Sequence, residues 1–410
     1  MTDLDTFRAL LTGQGRALLD SLRDFEPSRE LSIATHLRRD HSPDLVSAAL
    51  GQARLRQRAV AKFGAEDAYR MFFTPNGVEQ STRKSVAEYR AGRFRDIGAA
   101  SVADLCCGIG GDALALARAG FAVHAVDSDP MTCLVARTNA EMLGQHHRAT
   151  FACEDVTAYD WRGSGSEALF IDPARRGGRG RIFDPEAYSP PLSWAVDAVR
   201  EAGSGAIKIA PGIPHELVPD DFEAEWISDT GDVKEAVLWH HAGAGHVIVP
   251  GTRRATLLPS GATLTGRGLP DPAPRPVGRY LYEPDGAVIR AHLVAEVAED
   301  LDGGLIDETI AYITADELRR TPYATAYEIT DELPFGLKKL KALLREREVG
   351  RLTVKKRGSA VEPEEVRRRV KPAGPNEATV FLTRVAGAPS MLIGRPAPGP
   401  AGDATVTPGR

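Results

Sequence analysis

The 410-residue chain has few cysteines and no long hydrophobic run. Its four cysteines (Cys106, Cys107, Cys133 and Cys153) lie in one central stretch, without Cys-x-x-Cys or His/Cys zinc spacing. We therefore expect buried free thiols and no metal site. No segment approaches the roughly 18 apolar residues that a membrane helix needs, so we expect no membrane crossing.

The sequence also shows no secretory signal: such a signal has basic residues followed by an apolar run, whereas the first five residues here include acidic residues and no basic one. We therefore expect a cytoplasmic protein. The formal net charge of -5 argues against nucleic-acid binding over the whole surface, but a whole-chain charge hides local basic patches. The sequence does not indicate an oligomeric state.

The length predicts two or three structural units, since compact domains have about 100 to 200 residues. Helical periodicity predicts an N-terminal helical domain over residues 1–95. Alternating apolar runs and helical segments predict an α/β domain over 96–245. Mixed strands and helices predict an α+β domain over 246–395, and the Pro- and Gly-rich residues 396–410 are expected to be disordered.

The α/β domain is predicted to have five strands, at 100–105, 122–127, 149–153, 168–172 and 206–210. Helices are predicted between them at 111–119, 130–143 and 189–201. Five βα steps predict a doubly wound, Rossmann-like sheet. Beyond this domain, strands are predicted at 246–250, 255–258, 351–356 and 377–385, a helix at 285–298 and an amphipathic basic stretch at 335–347.

A glycine-rich turn follows the first predicted strand, after the acid Asp104. Gly108, Gly110 and Gly111 allow a cofactor to lie against the backbone at the start of a helix. NAD and FAD enzymes have similar turns, and so do proteins without a cofactor. The turn alone therefore indicates a nucleotide-type cofactor without identifying it.

Two further acids stand at the ends of the next strands. Asp127 ends the second strand and can accept hydrogen bonds from both hydroxyls of a ribose, although a solvated strand-end acid is the alternative. Asp155 follows the third strand, where a carboxylate can accept from the exocyclic amine of adenine.

Over residues 101–213 the sequence resembles the class I S-adenosylmethionine-dependent methyltransferases. The stretch from Asp104 to Gly111 matches their first motif, Asp127 their ribose-binding acid and Asp155 their adenine-binding acid. The resemblance implies a Rossmann-like domain with S-adenosyl-L-methionine as the methyl donor. The Gly-x-Gly-Gly pattern and the adenine-site acid distinguish the chain from dinucleotide enzymes.

A loop from Phe72 to Thr82 precedes this domain and leads into a predicted helix start. RNA methyltransferases often close the methionine end of the donor in this way. Gln80 or Thr82 is therefore a candidate for a hydrogen bond to the donor carboxylate, and an ordinary helix start explains the same residues equally well.

The acceptor site is predicted at the carboxyl end of the fourth strand, where such folds bind ligands. Asp172 and Pro173 match the start of the Asp/Asn-Pro-Pro-aromatic motif of base-amine methyltransferases, whereas Ala174 and Arg175 depart from it. The guanidinium of Arg175 can stack on a base instead. We predict that Asp172, Pro173 and Arg175 form the catalytic site.

Uracil-carbon methyltransferases have Asp-Pro-Pro-Arg at this place, but they need a cysteine thiolate, and no cysteine follows Cys153. Direct transfer to a nitrogen or oxygen is therefore favoured, and a base nitrogen is our prediction.

Further cations surround this segment. Arg176, Arg179 and Arg181 lie among glycines and are predicted to contact RNA phosphates, with a solvated basic loop as the alternative. Lys208 lies inside the apolar fifth strand and needs a carboxylate or phosphate partner. A salt bridge within the fold explains Lys208 at least as well as a substrate contact, so it is given no catalytic role.

A basic patch lies near the C-terminus, where residues 335–371 contain 13 Lys/Arg against five Glu, a balance of +8. Lys355, Lys356 and Arg357 end a predicted strand, and we predict that they bind RNA. The patch lacks aromatic stacking residues, which favours recognition of a duplex or of the backbone. A solvated charged face is the alternative.

Residues 280–395 resemble the THUMP-like domain found beside methyltransferase domains in bacterial proteins, chiefly at 280–290 and 350–358. THUMP domains help deliver structured RNA to the attached enzyme, so the resemblance implies tRNA or rRNA as the partner. Two alternatives stay open: a small-molecule or protein acceptor, and an RNA-binding module without activity.

Overall fold

The structure is a computed structural model that describes residues 3–177, 180–181, 184–243 and 247–398. The described residues form two compact units. The first contains those of 1–224 and 235–251, and the second those of 225–234 and 252–410. The division of the chain at residues 95, 245 and 395 stays a prediction. No helix in the described ranges combines the length and the apolarity that a bilayer crossing requires.

The first unit begins with six α-helices, which confirm the helical periodicity of this part of the sequence. They are α1 (Asp3–Leu11), α2 (Gly13–Ser21), α3 (Glu30–Leu37), α4 (Pro43–Ala68), α5 (Pro75–Gln80) and α6 (Lys84–Asp96). The side chains of Ser42 and Thr74 accept hydrogen bonds from backbone amides in the first turns of α4 and α5, and a proline follows each cap. In both helices the capping side chain therefore satisfies one free N–H group of the first turn, and the proline, which has no N–H, removes another.

Apolar side chains of these helices pack around Phe72 and Phe73, in the segment between α4 and α5. Phe7 of α1 meets Phe72 edge-on, and Phe63 of α4 packs against Phe73. Each buried phenylalanine contributes about 1.5–3 kcal/mol relative to an exposed one. This packing holds the segment before α5 in place.

The sheet of the first unit follows. Its strands are β1 (Ser101–Leu105), β2 (Ala122–Asp127), β3 (Ala149–Cys153), β4 (Ala168–Ile171), β7 (Ser204–Ile209) and β9 (Asp232–His241), and a two-stranded hairpin of β5 (Arg176–Gly177) and β6 (Gly180–Arg181) forms a separate sheet. Strand β8 (Glu223–Asp229) belongs mostly to the second unit, which contains residues 225–234. The helices between the strands are α7 (Gly111–Arg118), α8 (Pro130–Met142) and α9 (Leu192–Ala202).

The strand order is β9-β7-β4-β1-β2-β3, with parallel pairing throughout except between β7 and β9. This is the predicted doubly wound α/β sheet, and the five predicted strands are confirmed to within about two residues at their ends. The central strand β4 is entirely apolar and buried, as expected of a sheet covered on both faces.

Several local predictions were wrong. The sequence analysis missed β8 and β9, because Glu223 and Glu235 interrupt their apolar pattern. Residues 247–250 form bends and a turn instead of the predicted strand, since Pro250 cannot donate a ladder hydrogen bond; His246 lies outside the described residues. All four cysteines are free, but Cys153 is exposed at the end of β3 instead of buried.

The second unit contains two antiparallel strands, β10 (Arg253–Leu258) and β11 (Ala262–Thr265), and a seven-stranded sheet. The strands of this sheet are β12 (Tyr280–Pro284), β13 (Gly304–Asp307), β14 (Ile310–Ala315), β15 (Ala324–Pro334), β16 (Val349–Lys356), β17 (Asn376–Val385) and β18 (Ala388–Pro396), in the order β13-β14-β12-β15-β18-β17-β16. Edge strand β16 runs parallel to β17. The helices of the second unit are α10 (Gly286–Arg290), α11 (Val294–Asp300), α12 (Leu337–Glu346) and α13 (Pro363–Val370).

This unit confirms the strands predicted at 255–258, 351–356 and 377–385, and the amphipathic basic stretch at 335–347 contains α12. The helix predicted at 285–298 is instead divided into α10 and α11, because His292 between them has a left-handed backbone with φ of 57°. Leu340 and Leu344 of α12 and Val366 of α13 join one core with β16. Of the tail predicted to be disordered, Pro396 is the last residue of β18, and residues 399–410 lie outside the described residues.

Arg90 of α6 is a buried cation in the first unit, with a side chain only 1% exposed. It donates hydrogen bonds to Asp112 of α7 and to Glu235 of β9, and its guanidinium lies 4.3 Å from the centre of the Phe170 ring in β4. Burial alone lowers the pKa of Arg90, but the charges of Asp112 and Glu235 raise it above its ordinary value. Arg90 thus joins two helices to two strands through charge.

We predict that Arg90→Met lowers the free energy of unfolding by about 3–5 kcal/mol, because two buried carboxylates lose their shared cation. Urea unfolding measures this effect. The control is Arg95→Met on the same helix, where the side chain is exposed and the expected change is about 0.5 kcal/mol or less. Equal effects of the two substitutions would contradict the structural role of Arg90.

Candidate functional site

The turn between β1 and α7 is built from left-handed backbone. Cys106, Gly108 and Gly110 have φ of 66°, 56° and 88°, and Gly110 is the residue that precedes the first turn of α7. A Cβ atom at Gly108 would meet nothing within 4 Å, so the backbone there borders open space. This geometry leaves room for a ligand against the chain at the N-terminus of a helix.

Asp127, at the end of β2, supports this turn. Its Oδ2 accepts a hydrogen bond from the Gly108 amide at 2.9 Å, and its Oδ1 accepts one from the Asp129 amide at 3.0 Å. Each oxygen has a second lone pair, so the carboxylate can still accept from a ligand hydroxyl. The structure thus brings two residues predicted for the donor site, Asp127 and Gly108, into contact.

Asp104 is buried at the end of β1. Neither of its carboxylate oxygens has a hydrogen-bond partner among the described residues. Burial raises the pKa of Asp104 well above its usual range, and the charges of Asp112 and Asp172 raise it further. A buried carboxyl without a protein partner is a site for a ligand that can donate hydrogen bonds.

The charges around Asp104 fit a cationic ligand. The ionisable groups whose charges act on Asp104 are three carboxylates, Asp112, Asp172 and Asp127, against one cation, Arg90. S-adenosylmethionine carries a sulfonium and an ammonium group. The residues present therefore suit the donor that the sequence predicts.

Asp155 lies in the turn that follows β3 and is exposed. Its Oδ1 accepts hydrogen bonds from the hydroxyl and the amide of Thr157, at 2.7 and 2.8 Å, and these bonds lower the pKa of Asp155. The preceding residue, Glu154, donates its amide to the Asp127 carbonyl at 3.0 Å. Asp155 therefore stands at the same edge of the sheet as Asp127, without a hydrogen bond between their side chains.

The two candidates for the donor carboxylate differ in their surroundings. Gln80, at the end of α5, is exposed, and its side chain has no hydrogen bond to a described residue. Thr82 is buried, and its hydroxyl accepts a hydrogen bond from Lys208 at 2.9 Å. The role predicted for Gln80 stays a prediction.

Asn139 of α8 is a residue that the sequence analysis missed. It is fully buried, and its amide group donates to the carbonyls of Phe72 and Ile109 at 3.0 and 3.1 Å and accepts from the Phe72 amide at 2.7 Å. Asn139 thereby joins the segment before α5 to the glycine-rich turn. A polar residue on the buried side of a helix was the signal that could have identified it.

The predicted acceptor residues follow β4. The Asp172 amide donates to the Leu105 carbonyl at 3.1 Å, which places the acid beside the start of the glycine-rich turn. Ala174 exchanges two backbone hydrogen bonds with Ser189, at 2.9 and 3.1 Å, and fixes the chain after Pro173. Nη1 of Arg175 is buried without a hydrogen-bond partner among the described residues.

The arginines after this segment are described only in part. The backbones of Arg176 and Arg181 pair across the β5–β6 hairpin, whereas Arg179 lies outside the described residues. Their contact with RNA stays a prediction.

Lys208 of β7 forms the salt bridge that the sequence left as one of two explanations. Its ammonium lies 2.6 Å from Oδ2 of Asp172, 2.9 Å from the Thr82 hydroxyl and 4.0 Å from Oε2 of Glu235. This lysine therefore contacts a predicted catalytic acid directly.

In the second unit, the cations predicted to bind RNA are occupied by protein groups. Lys355 pairs with Glu283, Lys356 pairs with Glu362, and the guanidinium of Arg357 lies 5.1 Å from the centre of the Tyr312 ring. Burial lowers the pKa of Lys355, but the hydrogen bond and charge of Glu283 raise it above its ordinary value. These three residues are therefore less available to phosphate than the sequence suggests.

Helix α12 has more accessible cations. Lys338, Lys341 and Arg345 are exposed, and none of them forms an ion pair with a described residue. Their spacing of three and four residues places them on one side of the helix, and the buried Leu340 and Leu344 lie on a different side. This cationic face of α12, formed by Lys338, Lys341 and Arg345, is the more open basic surface of the two.

Three protein-family models match parts of the chain. The family of RNA cap guanine-N2 methyltransferases matches residues 99–181, and the THUMP domain-like family matches residues 324–396. Residues 3–59 match a family that is described as a domain of unknown function.

A crystal structure from Porphyromonas gingivalis W83, whose description assigns it provisionally to the methyltransferases, has a TM-score of 0.74 at 21% sequence identity. The alignment covers 91% of this chain and 100% of the chain from Porphyromonas gingivalis. At 21% identity, this similarity shows a common fold.

The chain is also 33% identical over 353 residues to an uncharacterized S-adenosylmethionine-dependent methyltransferase of Mycobacterium tuberculosis, in strains CDC 1551 and H37Rv. The alignment covers 84% of this chain and 94% of the relative. Together with the geometry of the glycine-rich turn, this similarity shows that the chain belongs to the family of S-adenosylmethionine-dependent methyltransferases.

Proposed function

We propose that this methyltransferase acts on structured RNA, tRNA or rRNA, by direct methyl transfer to a base nitrogen. The observation that carries the proposal is the position of Asp172 and Pro173, which follow β4 directly beside the glycine-rich turn after β1. A group held by Asp172 lies next to a ligand held by that turn. The matches to an RNA methyltransferase family and to a THUMP-like family support RNA as the acceptor.

The donor side of the proposal assigns roles to the residues around the turn. Asp127 accepts hydrogen bonds from the ribose hydroxyls, and Asp155 accepts one from the adenine amine. Gly108, Gly110 and Gly111 let the donor lie against the backbone, Asp104 receives its cationic end, and Gln80 reaches its carboxylate. When bound, S-adenosylmethionine supplies a methyl group that its sulfonium already activates, so the protein chiefly positions the reactants and excludes water.

The acceptor side of the proposal uses three residues. Asp172 orients the acceptor nitrogen and takes the proton that this nitrogen loses. The Pro173 carbonyl accepts a second hydrogen bond from the acceptor, and the guanidinium of Arg175 stacks on the base. Arg176, Arg179 and Arg181 contact the neighbouring phosphates.

For the second unit, we propose that the cationic face of α12 makes the main phosphate contacts. Its three cations are exposed and unpaired within the described chain, whereas Lys355 and Lys356 must first leave Glu283 and Glu362. Neutralising a phosphate with a free cation releases counterions without breaking an ion pair. Lys355, Lys356 and Arg357 then form a secondary part of the surface.

We predict that Asp127→Asn weakens binding of S-adenosylmethionine about 10- to 100-fold, as measured by isothermal titration calorimetry. An asparagine cannot accept hydrogen bonds from both the Gly108 and Asp129 amides, because its NH2 group faces one of them. The isosteric control is Glu154→Gln, which neutralises an exposed acid on the neighbouring strand end. A donor affinity that is equal in the two variants would exclude Asp127 from the donor site.

We predict that the enzyme transfers tritium from labelled S-adenosylmethionine to tRNA or rRNA isolated from cells that lack the gene, but not to the same RNA from wild-type cells. Asp172→Ala is expected to abolish transfer while donor binding persists. Mass spectrometry of nucleosides from the two cell lines would identify the methylated base. Tight donor binding without transfer to any RNA fraction would refute RNA as the acceptor and leave a small molecule or protein.

We predict that replacing Lys338, Lys341 and Arg345 together by glutamine makes the slope of log affinity for bulk tRNA against log salt shallower by about 2 to 3, because three phosphate contacts are lost. Filter binding at several salt concentrations measures this slope. The matched control replaces three paired cations of the same unit, Arg347, Arg351 and Arg369, by glutamine. An equal change in slope in the control would argue against a specific role of α12. A larger change on replacing Lys355, Lys356 and Arg357 would instead favour these three residues as the main phosphate contacts.

A further inference from the structure

Lys208 has no role in the function proposed so far, although it contacts the predicted catalytic acid Asp172. Its side chain is 4% exposed, so its ammonium has almost no contact with water. A lysine that is buried in this way requires hydrogen-bond and charge partners. It finds them in Asp172, at 2.6 Å, and Thr82, at 2.9 Å.

The contact is asymmetric with respect to the Asp172 carboxylate. Lys208 occupies Oδ2, whereas Oδ1 accepts no hydrogen bond from a described residue. The Asp172 side chain is 24% exposed, unlike its partner. One oxygen is therefore held by the fold and the other is available to a ligand at the end of β4.

Lys208 is itself held in place by groups from other elements. Thr82, before α6, contacts it from one side, and Glu235 of β9 lies 4.0 Å away on another. Glu235 in turn accepts a hydrogen bond from Arg90, which also pairs with Asp112 at the start of α7. Besides Asp172, the ammonium therefore has two partners, from the segment before α6 and from β9, which hold it in place.

We propose that Lys208 is a positioning residue of the acceptor site, which fixes Oδ2 of Asp172 so that Oδ1 accepts a hydrogen bond from the acceptor nitrogen. This inference rests on the proposed function and narrows the acceptor to a nitrogen that carries hydrogen, either an exocyclic amine or a ring N–H group of a base. As the bond between the methyl carbon and the nitrogen forms, the bond from that carbon to the donor sulfur breaks. The nitrogen then releases its extra proton to Oδ1 of Asp172, which passes it to water.

In this arrangement, activity depends on which groups at positions 172 and 208 donate hydrogen bonds and which accept them. In Asp172→Asn, the amide oxygen faces Lys208 and the NH2 group faces the acceptor N–H group, so two donors oppose each other. Removing Lys208 as well allows the asparagine to turn its oxygen toward the acceptor. The double variant also leaves no unpaired charge at this position, because it deletes one cation and one anion together.

The experiment measures single-turnover rates with labelled S-adenosylmethionine and RNA from cells that lack the gene. Lys208→Met and Asp172→Asn are each expected to lower the rate about a hundredfold, with the affinity for the donor unchanged. The double variant is expected to be about tenfold faster than Asp172→Asn alone. If Lys208→Met does not fold, the comparison between Asp172→Asn and the double variant still decides the question.

The matched control is Lys84→Met, which removes a lysine from another largely buried acid, Asp67, that keeps its two hydrogen bonds with Arg118. This control is expected to retain the wild-type rate. A purely structural lysine would instead lower donor affinity and thermal stability along with the rate, and the double variant would be no faster than Asp172→Asn.

Crystal structures of the wild type and of Lys208→Met, or of the double variant, with S-adenosylhomocysteine test the inference without an acceptor. Rotation of residue 172 after loss of the lysine would support it, and an unchanged side chain at 172 would overturn it. If the wild type methylates no RNA, the proposed function fails, and this comparison still decides the role of Lys208. Wild-type rates in both single variants would overturn the inference even if RNA is the acceptor.

Discussion

A buried series of alternating charges holds the methyltransferase unit together. Asp172, Lys208, Glu235, Arg90 and Asp112 follow one another from the end of β4 to the start of α7. Lys208, Glu235, Arg90 and Asp112 are largely buried, and each of these groups would cost several kcal/mol without its neighbour. The ends of the strands and the helix that bears the glycine-rich turn therefore cannot move independently. The same series that stabilises the unit also occupies Oδ2 of Asp172, so that Oδ1 is the oxygen that we propose for the acceptor.

The donor side depends on hydrogen bonds to the backbone. Asp127 fixes the glycine-rich turn from the neighbouring strand, and Asn139 joins that turn to the segment before α5. Asp104 is the exception, because its oxygens have no partner in the described chain. A preformed turn with one unsatisfied carboxyl suits a ligand that carries hydrogen-bond donors and positive charge. S-adenosylmethionine, with its sulfonium and ammonium groups, is such a ligand.

In the second unit, the number of cations is a poor guide to the surface that binds anions. Lys355 and Lys356, at the end of β16, belong to a dense basic stretch of the sequence, but they neutralise Glu283 and Glu362. The cationic face of α12 is less conspicuous in the sequence and is open to solvent. Electrostatic attraction to RNA depends on the charges that remain after internal pairing.

The sequence by itself determined the succession of five strands and three helices along the chain, the glycine-rich turn and the acids at the strand ends. These features depend on local apolar periodicity and on residues a few positions apart. Tertiary structure decided the partners of the buried charges: Lys208 meets Asp172 36 positions away and Thr82 126 positions away, and Arg90 meets Glu235 145 positions away. The hairpin of β8 and β9 escaped prediction for the same reason. Its glutamates contradict the pattern of a buried strand until Arg90 and Arg93, distant in the chain, neutralise them.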